Sequence, residues 1–168
     1  MEGNSMNIVG KDIKEYVKII TLPVVIAAVV SIIQAVLGVL GLLGSKLPGP
    51  LSMVSCLTGF VGVIIGIIAF VVMVLVAAWV GWTTVKKYSG TLVQALIAGF
   101  LFGFVSGVIS AVISVIVSIL NIVLNLSAIG TTMGVVSIVL AIVISPIIGL
   151  VIGGVCAAIG GLLAGGKT

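Results

Sequence analysis

Inside the apolar stretches of this 168-residue chain, the side chains able to do chemistry are few: Gln34 and a row of serines at every fourth position, Ser106, Ser110, Ser114 and Ser118. At roughly 3.6 residues per turn, that row lies on one face of a helix. Two chemistries suit it. Each hydroxyl can donate to the carbonyl four residues earlier in its own helix, which leaves the row idle. Alternatively, the row forms a polar seam facing Gln34 that lines a narrow wet pathway or holds a lipid headgroup. Gln34 itself needs a partner, either one cross-helix hydrogen bond worth about 0.6 kcal/mol or a ligand or ion.

Other chemistries lack their residues. The chain has no histidine, which removes the usual general base and the commonest metal ligand. All three carboxylates, Glu2, Asp12 and Glu15, precede the first apolar block, so no crossing carries the acid of a proton or sodium carrier. Ser106-Gly107 has no base to activate it, and no glycine loop leads into a Lys-Ser or Lys-Thr pair that would hold phosphate. The sequence therefore predicts no catalytic residue, no cofactor and no metal site. Cys56 and Cys156 are expected near opposite membrane faces, too distant for the ~4.4–6.8 Å Cα spacing of a disulfide.

The elements that position these residues follow from charge. A soluble domain carries about a quarter charged residues; this chain carries 6% and is 62% hydrophobic. No formal charge lies between Tyr88 and Gly166. Four apolar blocks can be drawn, at 20–43, 52–82, 92–126 and 133–165, each long enough to cross a bilayer as a helix of about 20 residues. Backbone groups in lipid must be satisfied internally, by helices or closed barrels. Barrel strands alternate polar and apolar residues, and nothing here alternates. The expected fold is all-α: one integral membrane domain over residues 1–168 with four transmembrane helices.

The breaks between blocks are chemically plain. Gly44-Ser45-Lys46-Leu47-Pro48-Gly49-Pro50 stops a helix because proline lacks the N–H donor and fixes φ. Thr83 to Gly90 is polar and contains Lys86 and Lys87. Asn125-Leu126-Ser127 reads as a cap or turn although it matches a glycosylation sequon. With the N-terminus inside, Lys11, Lys14, Lys18, Lys86, Lys87 and Lys167 gather on the inner side against Lys46 outside, which predicts N-in and C-in. The net charge of +4, all lysine, is then a topology signal rather than a nucleic-acid footprint. Trp79, Trp82, Tyr16 and Tyr88 fit an aromatic belt at the same interface.

Residues 1–19 form a lead-in. Val9, Ile13, Tyr16, Val17 and Ile20 share one face and Lys11, Asp12, Lys14, Glu15 and Lys18 the other. That pattern suits a short amphipathic helix in the interface, or a simple extension of the first crossing. The third block, through Leu126, exceeds the ~30 Å hydrocarbon thickness and must tilt, protrude or bend back. Pro146, after Ser145, should kink the fourth.

Small residues recur every fourth position: Gly99, Gly103, Gly107 and Ala111; Gly149, Gly153, Ala157, Gly161 and Gly165; Ala27, Ser31 and Ala35; Gly62 with Gly66; and Ala77 with Gly81. Helices associate in lipid through close backbone approach, so these rows predict packing faces, within the chain or toward a second copy or a larger membrane complex. An offset of 72 aligns Lys14 with Lys86, Tyr16 with Tyr88, Gly62 with Gly134, Ala69 with Ala141 and Gly81 with Gly153. Such an alignment would make the chain two similar helical hairpins, as in parallel transporter repeats.

The stretch Trp79-Val80-Gly81-Trp82-Thr83-Thr84-Val85-Lys86-Lys87-Tyr88-Ser89-Gly90, followed by Leu92-Val93-Gln94-Ala95-Leu96-Ile97-Ala98-Gly99, resembles small four-helix membrane proteins of archaea and their relatives. Those proteins carry no assigned function, so the resemblance implies a fold and a prokaryotic cell (plasma) membrane and nothing about mechanism. The residues point to a non-enzymatic structural or accessory protein in contact with membrane lipid, associating through its small-residue faces. The alternative is a small transporter or channel using the serine seam, Gln34 and the Pro146 kink.

Overall fold

The computed structural model describes residues 7–8, 11–44, 52–124 and 128–166. Two short strands, β1 (Asn7–Ile8) and β2 (Lys11–Asp12), pair antiparallel ahead of four helices: α1 (Ile13–Gly44), α2 (Ser52–Lys86), α3 (Leu92–Leu124) and α4 (Ala128–Leu163). All four are long and apolar enough to cross a membrane, over Ile13–Gly41, Phe60–Lys86, Leu92–Val123 and Val135–Leu163. The third helix is unbroken to Leu124, and residues 125–127 lie outside the described ones. Pro146 and also Pro23 lie within continuous helices.

Four helix ends, all at one end of the bundle, have a local cause. Asp12 caps α1, its carboxylate accepting from the Lys14 amide at 3.4 Å. Thr91 and Gln94 form a reciprocal capping box on α3: the Thr91 amide donates to Gln94 Oε1 at 3.1 Å, and the Gln94 amide donates to Thr91 Oγ1 at 3.4 Å. The α2–α3 turn passes through Ser89 in the left-handed region, φ 49°. There the Gly90 amide donates to the Thr84 carbonyl at 2.9 Å. A Cβ on Gly90 would sit 2.8 Å from that same oxygen, so the turn requires glycine.

At the end of α4 the Gly166 amide donates to Gly161 O and the Gly165 amide to Leu162 O, a Schellman stop with Gly165 at φ 79°. Gly165 therefore lies beyond the helix and does not extend the packing row expected of it. Its left-handed backbone ends the row, and a Cβ there would meet nothing within 4 Å.

Successive helices run antiparallel. α1 and α4 occupy opposite corners of the bundle, each packing on both α2 and α3. One end gathers the start of α1, the 87–91 turn and the end of α4; we call it the lysine end, after Lys86 and Lys87. The core fills this end: Tyr16, Ile19 and Ile20 of α1 meet Val76, Ala77 and Val80 of α2 and Ala98 and Phe102 of α3. Residues 13–19 are the first turns of the continuous helix α1, where Tyr16 and Ile19 are buried and Val17 is exposed. Tyr16 is fully buried rather than placed in an aromatic belt, whereas Trp79 and Trp82 are exposed. Val9 lies outside the described residues.

α3 and α4 are the closest pair. A Cβ on Gly103 would overlap the Gly149 carbonyl, one on Gly153 would lie 2.5 Å from Gly99 O, and one on Gly107 would lie 2.8 Å from the Cα of Pro146. A Cβ on Gly99 would overlap that of Ala157, and one on Gly161 would lie 2.9 Å from that of Ala95. Ala157 also faces Gly81 of α2. These backbones touch because no side chain intervenes, the condition for tight association in lipid. Ala111, the last of the third-helix row, is buried as well.

Candidate functional site

Away from the lysine end the bundle opens. α2 contributes no buried residue over 60–68, and Cβ atoms on Gly62 and Gly66 would meet nothing within 4 Å. The other three helices then enclose a half-open groove of about 400 Å³. Ser31, Gln34 and Ala35 line it from α1, Ser110, Ser114 and Ser118 from α3, and Ser137 and Ala141 from α4. None of its lining comes from α2.

Helical spacing builds each wall. Ser31, Gln34 and Ala35 are one turn of α1, Ser110, Ser114 and Ser118 are two turns of α3, and Ser137 and Ala141 are one turn of α4. The floor is a hydroxyl pair: Ser31 Oγ lies 3.1 Å from Ser110 Oγ, and the Ser31 hydroxyl also lies 2.9 Å from the Ala27 carbonyl. A single hydroxyl hydrogen cannot serve both, so if Ser31 donates to Ala27, Ser110 donates to Ser31. Beneath the floor the backbones of α3 and α4 are in contact at Gly107 and Gly103. The groove is therefore closed toward the lysine end, where the α3 and α4 backbones are in contact.

The structure brings together Gln34, Ser110, Ser114 and Ser118 and sets Ser106 apart. Ser106 is buried, and its hydroxyl donates to Gly103 O at 3.1 Å inside its own helix. Gln34 is exposed to the groove and makes no hydrogen bond to another of the described residues. Pro146 lies against Gly107, and the neighbouring Ser145 hydroxyl donates to Gly107 O at 3.3 Å, tying α4 to α3 below the groove.

Ser31 and Ser137 complete the polar lining, and their signal was present in the sequence. Ser31 stands one turn before Gln34, and Ser137, Ala141 and Ser145 form another small row at every fourth position.

The groove carries no formal charge. Its hydroxyls and amide can donate and accept hydrogen bonds, which suits water, a neutral polar group or a partner's backbone. They supply no acid, base or nucleophile-activating group. Among the described residues no three His, Cys, Asp or Glu side chains gather to hold a metal ion. Cys156 is a free thiol on α4.

No protein-family model matches this chain, and no curated protein or solved structure matches it either.

Proposed function

We propose that this protein is a non-enzymatic accessory or structural subunit of a prokaryotic cell membrane that receives a helix of a second copy, or of a larger membrane complex, at its open end. Both termini lie on the cytoplasmic side in this reading, supported by six lysines on that side against Lys46 on the other. The carrying observation is how the small residues are used. Gly99, Gly103, Gly107, Gly149, Gly153 and Ala157 are spent on contacts within the chain, whereas Cβ atoms on Gly62 and Gly66 of α2 would meet nothing within 4 Å. A small-residue face is the surface a neighbouring helix approaches most closely in lipid.

Native mass spectrometry after mild extraction tests this. The wild-type chain is expected with a second copy or a partner subunit attached. The double substitution Gly62→Leu with Gly66→Leu, which has room within the chain, should release it. A wild-type protein that is monomeric and free of partners would overturn the reading.

The groove favours a second reading, a small transporter or channel. Its hydroxyl and amide lining is of the type that water and polar solutes use, and a movement of α1 or α4 against α3 would have to open the closed floor. Solute flux into liposomes should then fall with Gln34→Leu and with Ser110→Ala. Flux unaffected by both removes the reason for it.

A further inference from the structure

The exposed apolar surface is taller than an ordinary bilayer. On α3 it runs from Val93 to Val123, on α4 from Val135 to Leu163 and on α1, past the exposed Lys18 and Thr21, from Leu22 to Leu43, with the large side chain at each end about half exposed or more. At roughly 1.5 Å per residue these stretches measure about 45, 42 and 32 Å. On α2 the described part, Phe60 to Trp82, gives about 33 Å at the same rise. The hydrocarbon of a typical bilayer is about 30 Å thick. No charged residue interrupts the surface on α3 or α4.

Tilt does not absorb the difference. Fitting about 45 Å into about 30 Å needs a tilt near 48°, whereas spanning helices average about 20° and reach about 40°. α3 and α4 also cannot tilt independently, because their backbones are in contact at Gly99, Gly103 and Gly107. At a tilt of about 20°, α4 and α3 still present about 39 to 42 Å. The serines lie off this surface: Ser31, Ser110, Ser114 and Ser118 line the groove, while Val112, Ile116, Ile119 and Leu120 on the same turns of α3 are exposed, and partly exposed Asn121 precedes Val123.

We propose that the surface of this protein is matched to a thick bilayer, and that its lipid partners are phospholipids with long acyl chains, which it selects from a mixture or gathers around itself. This rests on the reading of the four helices as membrane-spanning and adds a lipid class to it. Long chains cover the outer turns of α3 and α4 that shorter chains leave in water. The modest cost of mismatch per ångström, taken over the whole perimeter, makes the selection measurable.

Trp79 and Trp82 are the only tryptophans and both are exposed on α2, which makes them native reporters of neighbouring lipid. The full chain is reconstituted in mixtures of dioleoyl phosphatidylcholine with a second phosphatidylcholine carrying brominated chains, which quench tryptophan. The second lipid runs from dimyristoleoyl through dioleoyl and dierucoyl to dinervonoyl length. Relative binding should rise with chain length and favour the dinervonoyl lipid over the dioleoyl by about threefold or more. A maximum at dioleoyl length, or no dependence on length, overturns the proposal while leaving the membrane-spanning reading intact. Failure of every brominated lipid to quench would overturn both.

Labelling of Val123→Cys by a membrane-impermeant maleimide, on a background with both native cysteines replaced, supplies the second readout. It should be strong in dimyristoleoyl bilayers and lost in dinervonoyl ones. Equal labelling in both overturns the proposal and indicates that these turns stand in water or beneath a partner protein.

Discussion

The sharpest perturbation is one methyl group at Gly103. The Cβ of Gly103→Ala would overlap the Gly149 carbonyl oxygen, lying 2.7 Å from that residue's carbonyl carbon and 3.1 Å from the Cα of Gly153. All three obstacles are backbone atoms, so no side-chain rotation relieves them. α3 and α4 must part by about 1 Å to restore a carbon separation near 3.5 Å. Parting them loosens the whole row, from Gly99 against Ala157 to Gly107 against Pro146. Overpacking of this kind costs up to about 3 kcal/mol, and replacing a mid-helix glycine by alanine returns about 1 kcal/mol of intrinsic preference. The net expectation is a loss of about 2 kcal/mol, roughly thirtyfold in the folding equilibrium.

Gly66→Ala is the control. It makes the same chemical change in a helix interior, but its Cβ meets nothing within 4 Å. It keeps only the preference term and should stabilise by up to about 1 kcal/mol. The two variants therefore differ by about 3 kcal/mol in opposite directions. Reversible unfolding in dodecyl maltoside with increasing dodecyl sulfate, followed by helical circular dichroism, reads the difference. If both substitutions shift the transition alike, the account of α3–α4 contact is wrong.

Two helix ends give further tests in the same assay. Gly165→Ala meets no atom within 4 Å but must hold φ near 79°, so the left-handed backbone alone should cost about 1 kcal/mol; an unchanged or higher midpoint would show that this stop does not depend on glycine. Thr91→Ala removes the side-chain oxygen that accepts from Gln94 and should cost about 1 kcal/mol, with Thr91→Ser restoring most of it, whereas equal losses in both variants would speak against the cap.

The four helices were legible because composition leaves a chain in lipid almost no other choice. The block edges were set by proline, glycine and lysine, residues that act locally: Gly44 ends α1, Lys86 ends α2 and Leu92 begins α3, close to where the breaks predict. The serine face was legible only in part. Periodicity places Ser106, Ser110, Ser114 and Ser118 in one row, but α1 packs beside α3 at a single height, and that height decides which hydroxyls face the groove. Ser106 falls below the Ser31–Ser110 floor and bonds within its own helix. The Tyr16 assignment failed for a related reason. A tyrosine two residues before Lys18 reads as interfacial, yet the neighbours that bury it, Val80 and Phe102, are contributed by distant parts of the chain. Gly165 looked like the next step of its row because spacing carries no information about φ.

The 72-residue offset sets α1 beside α3 and α2 beside α4, position by position. It carries Ala27, Ser31 and Ala35 of α1 onto Gly99, Gly103 and Gly107 of α3, and Ala77 and Gly81 of α2 onto Gly149 and Gly153 of α4. In the second hairpin every one of these positions is glycine, and the two backbones meet directly. In the first hairpin all but Gly81 carry a side chain. Ala27 and Ala77 are still accommodated, buried in the core at the lysine end. Farther along α1, Ser31 and Ala35 line the groove together with residues of α3 and α4. A methyl or hydroxyl where the other hairpin has only hydrogen holds helices apart by about the width of that group. At these aligned positions glycine closes α3 on α4, whereas Ser31 and Ala35 of α1 line the polar groove and Ser31 meets Ser110 of α3.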